Sequence, residues 1–235
     1  MTEKTPAAGS IRARVRAEMI DEIKNVARRH VANEGAALSL RAVSRDMGMV
    51  SSALYRYFPS RDELLTALII DAYDSMGEAA ETADANVSNR SDVLARWHAV
   101  ANALRAWSLA QPHEYALIYG SPVPGYAAPR DTVGPATRPV VVLGAILADA
   151  YEAGMLTEAG SPPVRNPLRR EIAVLSVHIG AKIPPSIMAR GMIAWTELFG
   201  AISFELFGRI DNTIDERDDW FHYQTRAMAT FIGLR

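Results

Sequence analysis

The sequence predicts an all-α protein of about ten helices, and two observations lead to this prediction. Apolar residues recur every three or four positions along most of the chain, which is the spacing of one helix face. No segment alternates apolar and polar residues over the length of a strand, so no sheet is indicated. With 235 residues, 49% of them hydrophobic and 22% charged, the chain can bury a substantial core.

The first helix is predicted from about Ile11 to Asn33, and Gly35 is expected to end it. It carries one apolar stripe at helical spacing: Val15, Met19, Ile23, Val26, Ala27 and His30. Residues 1–10 lack the apolar core of a signal peptide and are expected to form a flexible tail. Arginines at positions 12, 14 and 16 would either contact phosphates or form a solvated face.

The segment Ser39–Leu65 predicts two short helices that meet at a glycine. Ser39 is expected to cap the first helix, whose apolar positions are Val43 and Met47. Gly48 follows where a helix ends in a left-handed residue, a conformation that glycine adopts without a steric penalty.

The second short helix is predicted over Ala53–Phe58, with Ser51 or Ser52 as its cap. Pro59 should end it, because the residue before a proline avoids the α region. Two helices joined by such a turn form a helix-turn-helix, whose second helix lies in the major groove of DNA.

A long linking helix is predicted over residues 60–83. It opens with the capping box Ser60–Glu63, in which Ser60 caps the Glu63 amide. The polar stretch Ala85–Arg90 is the best domain boundary, so we expect a DNA-binding domain over 10–60 and a second domain over 86–235.

The second domain should contain the remaining helices. Gly120–Pro139 holds five prolines and three glycines and is expected to be a loop. A second irregular crossing is expected at Ser161–Pro163. The helices are predicted at Asp92–Ala110, from Pro112 through Ile118, at Pro139–Ala153 before Gly154, from about Pro167 to Ala181, at Ser186–Gly208 and at Arg217–Leu234.

The last two predicted helices are apolar on more than one side, so one small body cannot cover them. We therefore expect them to pair with a second copy of the chain in a four-helix bundle. Small residues near Gly200 would permit close approach. The candidate interface residues are Phe204, Phe207, Trp220, Met228 and Phe231.

Residues 50–65, Val-Ser-Ser-Ala-Leu-Tyr-Arg-Tyr-Phe-Pro-Ser-Arg-Asp-Glu-Leu-Leu, resemble the signature of TetR-family transcriptional regulators, and the match extends over roughly 11–76. Ser44 stands where the family usually has alanine, and Arg61 where it usually has lysine. Further on, Trp195–Gly208 resembles a C-terminal domain type of such regulators named for a Trp/His-Gly motif, with Phe199 in place of the histidine. This second resemblance implies a ligand-binding, dimerising body.

The predicted DNA contacts lie in and around the helix-turn-helix. Tyr55 and Arg61 are the contacts that the resemblance best supports, although both tyrosines of the recognition helix would alternatively be packed amphipathic residues. Residues 1–65 hold eleven Lys and Arg against eight Asp and Glu, whereas the rest holds fourteen against nineteen. A basic first part fits a local DNA-binding region. The candidates are Ser39, Arg41, Ser51, Ser52, Tyr55, Arg56, Tyr57 and Arg61.

Aromatic residues of the body are candidates for a small-molecule pocket, since such sites have apolar walls and few polar groups. Each of them would equally be a plain core residue. The candidates are Trp97, Trp107, Tyr115, Tyr119, His178, Trp195 and Phe199. Asp218 and His222 have the i, i+4 spacing of metal ligands, but a single pair also fits a solvated face.

The leading hypothesis is a ligand-responsive regulator that binds a palindromic operator in double-stranded DNA as a homodimer. We expect it to be a cytoplasmic, nucleoid-associated repressor that a small, largely apolar effector releases. The alternative is an all-helical enzyme or a small-molecule-binding protein without a DNA-binding role. No nucleophile motif, phosphate loop or cysteine is present in the sequence, so we expect no catalysis, no cofactor and no metal centre. No apolar run predicts a membrane partner.

Overall fold

The structure, a computed structural model, describes residues 8–34, 38–158 and 161–234. Over these ranges it contains ten α-helices, one short 3₁₀-helix and no strand, which confirms the predicted fold class. Gly35 and most of the predicted tail lie outside the described residues. The tail prediction was too long, because the first helix already begins at Ala8.

The helices follow the predicted order. In chain order they are α1 Ala8–Glu34, α2 Leu40–Asp46, α3 Ser51–Leu54, α4 Arg61–Ala85, α5 Val93–Ala110, α6 Pro112–Tyr119, α7 Val133–Glu152, α8 Leu168–His178, α9 Pro185–Leu206 and α10 Arg217–Ile232. The 3₁₀-helix Arg130–Thr132 directly precedes α7.

The chain forms two compact units. The head unit extends to Ala72 and also includes His113–Thr132. The body unit contains Tyr73–Pro112 and continues from Val133. Helix α4 therefore belongs to both units, with its first half in the head and its second half in the body.

The core of the head unit is built from helices α1 to α4 and from the returning segment His113–Thr132. Ile23 of α1, Leu54 of α3 and Leu64 of α4 are fully buried in it. Val123 of the returning segment is buried in the same core, and the Tyr126 hydroxyl lies 2.9 Å from the Thr66 hydroxyl of α4. Part of the predicted loop Gly120–Pro139 is therefore a packed element of the head.

The body unit packs α5, α7, α9 and α10 around its own core. Trp97 of α5 is buried, and its indole N–H donates to the Thr225 carbonyl of α10 at 2.9 Å. Ile146 of α7 and Leu198 of α9 are fully buried in the same unit.

Helix α7 begins six residues earlier than the sequence predicted. Pro135 lies in the first turn, where a missing N–H leaves no intrahelical hydrogen bond unmade. Pro139 is accommodated inside the helix. By length and composition, Arg130–Glu152 is the one stretch among the described residues that could cross a membrane. It is the core helix of the body, because one face is buried by residues such as Leu143 and Ile146.

Candidate nucleic-acid interface and ligand cavity

The helix-turn-helix forms as predicted, but its helix caps differ. Gly48 has φ +64°, which confirms the left-handed turn residue. Ser39 occupies the N-cap position of α2 as predicted, but its side chain makes no cap hydrogen bond. The N-cap residue of α3 is Val50, so the prediction of a serine cap there was wrong. Helix α3 begins at Ser51, with Val50 in extended conformation before it, and non-helical turns continue to Tyr57.

A pair of serine hydroxyls joins the two short helices. The Ser44 side chain is buried and donates to the Arg41 carbonyl at 3.0 Å. Its oxygen also lies 3.0 Å from the Ser51 hydroxyl. Ser51 is therefore hydrogen-bonded inside the head.

Five of the eight predicted DNA contacts are solvent-exposed around this turn. Tyr55 is 43% exposed, immediately after α3. Hydroxyl, phenol and guanidinium groups at such positions can donate to phosphate oxygens and base edges. The exposed candidates are Ser39, Arg41, Ser52, Tyr55 and Arg56.

Tyr57 and Arg61 are engaged within the head unit. Tyr57 is half-buried against the head core, and the Arg16 guanidinium lies 5.0 Å from the centre of its ring. The Arg61 Nε–H donates to the Leu38 carbonyl at 3.1 Å, which ties the start of α4 to the loop before α2. Since Arg61 is also only half-buried, its guanidinium keeps access to solvent.

Two further exposed residues lie next to the predicted DNA contacts and were not predicted from the sequence. Arg45 is a second exposed arginine of α2. Val50 is 71% exposed at the start of the recognition helix, where an apolar side chain can contact a thymine methyl group. Val50 precedes the short helix α3 and is not itself helical. Its i, i+4 spacing from the buried Leu54 wrongly suggests that it lies on the same buried helix face.

The seven predicted ligand residues are not gathered at one place. Tyr115 and Tyr119 belong to the head unit, where their rings lie 5.2 Å apart. The other five belong to the body unit. Trp97 and Phe199 are buried, Trp107 donates to the Ser75 hydroxyl at 2.9 Å, and His178 is exposed.

Trp195 lines an apolar cavity of about 230 Å³ within the body unit. The walls come from α7, α8 and α9. None of the lining residues carries a charge, and the one hydroxyl, on Thr137, donates to the Gly134 carbonyl at 2.8 Å. The other lining residues are Val140, Leu143, Gly144, Leu147, Leu175, Ile179, Met188, Gly191 and Met192.

The sequence analysis missed these aliphatic residues because it looked for aromatic clusters. Their helical spacing is the same as that of core residues, so periodicity cannot distinguish a filled interior from a cavity. Glycines at positions 144 and 191, inside apolar helices, were the available signal, because glycine in a helix interior is unfavourable unless packing requires it.

Arg138, next to the cavity residue Thr137, ties α7 to α4. Its guanidinium bonds Asp74 Oδ1 at 2.7 Å and the Glu81 carboxylate at 2.7 and 2.8 Å. The hydrogen bonds from Arg138 lower the pKa of Glu81. A methyl group on Gly77 would lie 2.7 Å from Arg138 Cβ, so glycine at this position lets the arginine lie across α4.

The sequence pair Asp218 and His222 does not form a metal centre with a third ligand. Asp218 accepts a hydrogen bond from Arg105 at 2.8 Å, and the His222 ring lies 5.5 Å from the His98 ring. Burial, and then the neighbouring His222 and Arg226 charges, lower the pKa of His98. Across the part of the chain that the structure describes, no three His, Asp or Glu side chains are grouped as metal ligands.

A helical head with an exposed recognition face, joined to a helical body that contains an apolar cavity, defines a helix-turn-helix transcriptional regulator. Comparison with known proteins agrees. Residues 23–68 match the model of the bacterial regulatory proteins of the tetR family, and residues 97–228 match the tetracyclin repressor-like C-terminal domain. The chain belongs to the TetR family of transcriptional regulators, and it is not an enzyme.

The similarity extends over nearly the whole chain. The HTH-type transcriptional regulator Rv1816 of Mycobacterium tuberculosis H37Rv is 40% identical over 224 residues, covering 90% of this chain and 91% of that one. Mb1846 of Mycobacterium bovis has the same identity and coverage. The crystal structure of the regulatory protein SCO4313 superposes with a TM-score of 0.75 at 33% identity, covering 96% of this chain and all of that one.

Proposed function

We propose that this regulator represses transcription by binding a palindromic operator as a homodimer, and that a small apolar effector releases it. Because operator DNA lies in the nucleoid, we expect a cytoplasmic, nucleoid-associated protein. The observation that supports the proposal is an exposed apolar face at α9 and α10. This face, on the body unit, is formed by large exposed side chains: Phe204, Phe207, Tyr223 and Phe231.

We infer that DNA is contacted through the exposed side of the helix-turn-helix. Arg41 and Arg45 of α2 offer two cations on one short helix, and Tyr55 offers an exposed phenol after α3. Cations bind phosphates without reading the sequence, whereas the tyrosine and Val50 can also contact base edges. Arg61 would contact a phosphate from its position at the N-terminus of α4.

The DNA face is tested with Tyr55→Ala, Arg41→Ala and Arg61→Ala. We expect each variant to weaken operator binding with unchanged far-UV circular dichroism, because the first two side chains are exposed and Arg61 is half-buried. Loss of one phosphate contact should also flatten the log–log salt dependence by about 0.9. Arg169→Ala is the matched control, since it removes an exposed arginine from α8 in the body. Wild-type affinity in all three head variants would rule out this face.

The dimer is supported by exposed apolar area and by one glycine. Phe204 is 57% exposed and Phe231 48% exposed, which is unusual for large aromatic side chains of an isolated chain. A methyl group on Gly200 of α9 would meet no atom within 4 Å, so a partner helix has room to approach. An obligate interface of this kind buries upwards of about 2,000 Å² in total.

The other two predicted interface residues lie differently. Trp220 is half-buried and stacks on Tyr223, with ring centres 5.8 Å apart. Met228 is 8% exposed and packs inside the body, so it can support the interface only from beneath. We propose that the partner contacts Phe204, Phe207 and Phe231 directly.

Phe204→Glu tests the dimer. A carboxylate at this interface would be buried without a partner, so we expect a monomer of the chain's own 25.7 kDa in light scattering. Operator affinity should fall by about a hundredfold or more, because linked half-sites gain roughly 10²–10⁴ in affinity. Val174→Glu, at a position 69% exposed on α8, is the control and should leave the mass unchanged. A wild-type protein that is monomeric at micromolar concentration would refute the proposal.

Effector control is proposed to act through α7 and α4. Helix α7 lines the cavity and is held to α4 by Arg138, and α4 continues into the head. A ligand that favours another position of α7 would therefore change the state of α4, within its differential affinity for the two states. Gel shifts with DNA from beside the protein's own gene, and a reporter assay in its presence and absence, distinguish repression from activation.

A further inference from the structure

We propose that the α7–α8–α9 cavity is the effector site and that it takes a compact, uncharged and largely apolar molecule of about nine carbon atoms. This inference deepens the proposed function and rests on its ligand response. The inference rests on three observations: the chemistry of the cavity wall, the volume of the cavity and the two glycines that keep it open.

The wall offers an occupant no charge and few polar groups. Of the eleven lining residues only Thr137 has a hydroxyl, which already donates to the Gly134 carbonyl, and Trp195 has a buried indole N–H without a hydrogen-bond partner. A charged ligand group in this cavity would lose its hydration without meeting a counter-charge, whereas an uncharged acceptor could meet only the Trp195 N–H. An apolar molecule loses nothing and gains contacts with leucine, isoleucine, valine and methionine side chains.

The cavity has a closed floor and an open side. Leu143, Leu147, Ile179 and Met188 form the floor and are buried. Val140, Met192 and Trp195 are partly exposed and form the side through which a ligand can enter. The floor is entirely aliphatic or thioether, so the part of the ligand that enters first must be hydrocarbon.

The volume sets the size of the ligand. An apolar cavity of about 150 Å³ stays dry and binds benzene. At about 230 Å³ the present cavity is roughly half as large again, which corresponds to about nine carbon atoms. Such a space, lined almost entirely by apolar groups, gives water too few hydrogen-bond partners to occupy it stably.

Two glycines keep this space free. A methyl group on Gly191 of α9 would lie 2.4 Å from Leu147 Cδ1, and one on Gly144 of α7 would lie 2.8 Å from Ile179 Cδ1. Leu147 and Ile179 both line the cavity, so larger residues at these glycines would push them into it. Glycine destabilises a helix interior relative to alanine, and here two such positions face the same cavity from different helices.

The test uses two probes with the same carbon count on the full-length protein. n-Propylbenzene has nine carbons and no charge, whereas 3-phenylpropanoate replaces its terminal methyl group by a carboxylate. We expect calorimetric titration to detect n-propylbenzene, with 3-phenylpropanoate at least a hundredfold weaker, because an unpaired carboxylate is costly to bury.

Three variants test the location of the site. Gly144→Ala combined with Gly191→Ala should weaken n-propylbenzene binding at least tenfold. Gly134→Ala is the matched control, because it adds a methyl group to the same helix α7 with no atom within 4 Å. If the double variant does not fold, Leu175→Ala, at a half-buried position, should enlarge the cavity and shift preference toward n-hexylbenzene at least tenfold.

The outcomes separate this inference from the proposed function, since binding is measured without DNA. Absence of n-propylbenzene binding up to its solubility limit, equal binding of the two probes, or unchanged binding in the cavity variants would overturn the inference. If n-propylbenzene binds in the cavity but leaves operator affinity unchanged, the site stands and the proposed ligand response fails. If a different molecule releases the operator while the cavity stays empty, the proposed ligand response stands and the inference about this cavity fails.

Discussion

Each unit of the molecule contains an arginine that holds helix α4 to two other helices, but the two arginines differ in burial. In the head, Arg28 of α1 binds Asp71 of α4 at 2.6 Å and Glu114 of α6 at 2.8 Å. In the body, Arg96 of α5 binds Asp84 of α4 at 2.7 Å and Asp149 of α7 at 2.5 Å. The Arg28 side chain is 32% exposed, whereas the Arg96 side chain is 2% exposed.

The difference in burial gives the two clusters different physical roles. Ion pairs near the surface are screened by salt and contribute little net stability. A buried arginine that loses its partners leaves uncompensated charge in the interior, so it cannot separate without a large cost. Asp84, near the C-terminal end of α4, is therefore held by a buried arginine, whereas Asp71, near the middle of this helix, is held by a partly exposed one.

The two units also differ in the residues that line their cavities. The cavity of the head is lined by apolar residues such as Val31 and Val123 together with the polar residues His113 and Ser121. The cavity of the body, between α7, α8 and α9, has one hydroxyl among its eleven lining residues. We propose that the head contacts its partner through surface groups and that the body encloses its ligand.

Arg96→Met should have the largest effect. It removes both ion pairs of a buried guanidinium and leaves Asp84 with Arg90 as its remaining cation partner. We expect the free energy of unfolding of the body to fall by about 3 kcal/mol. All four tryptophans lie in the body unit, so tryptophan fluorescence during urea unfolding measures this unit directly. A fall below about 1 kcal/mol would show that Arg96 is no more important than a surface pair.

Arg28→Met should have a smaller and salt-dependent effect. Asp71 keeps a second partner in Lys24, whose ammonium lies 2.9 Å from it, whereas Glu114 loses its ion pair with Arg28. We expect a loss of about 1 kcal/mol or less in the head, measured by hydrogen exchange of its amides. The difference from wild type should shrink in 1 M NaCl, whereas that of Arg96→Met should persist. Equal salt sensitivity of the two variants would remove the distinction drawn between the two units.

The sequence was sufficient for the features that depend on near neighbours. Gly48 in its turn and Ser60 as the cap of the Glu63 amide both follow from residue type and spacing, and both are present. The start of α7 at Val133 was missed because proline and glycine were counted as breakers, although a proline is compatible with a first helical turn.

Features that depend on distant packing could not be predicted. The burial of Val123 in the head core joins residues far apart in the sequence, and no local pattern indicates it. The cavity is likewise defined by what three helices leave unfilled, which residue spacing does not encode. The aromatic ligand candidates and the DNA contacts stay predictions, with Trp195 the one candidate of the first group that lines the cavity.

Acid should weaken the buried ion-pair cluster through Asp84. Burial opposes ionisation of this carboxyl group, but hydrogen bonds from Arg96 and Arg90 outweigh it and lower the pKa of Asp84. A carboxyl whose pKa is lower in the folded state stabilises the protein above its unfolded pKa, near 4, and loses that contribution as the pH falls through its folded value. The stability of the body should therefore decline below about pH 4, by at most about 1.4 kcal/mol per pH unit for this one group.

Asp84→Asn isolates this contribution. The variant should be less stable at pH 7, because Arg96 loses a charged partner, yet its unfolding free energy should depend less steeply on pH below about 4. A residual slope should remain, since Arg138 lowers the pKa of Glu81 in the same unit. Tryptophan fluorescence during urea unfolding at several pH values measures both slopes. Parallel curves for the variant and the wild type would mean that Asp84 is not held ionised by the buried arginine, and the contrast between the two clusters would then rest on salt sensitivity alone.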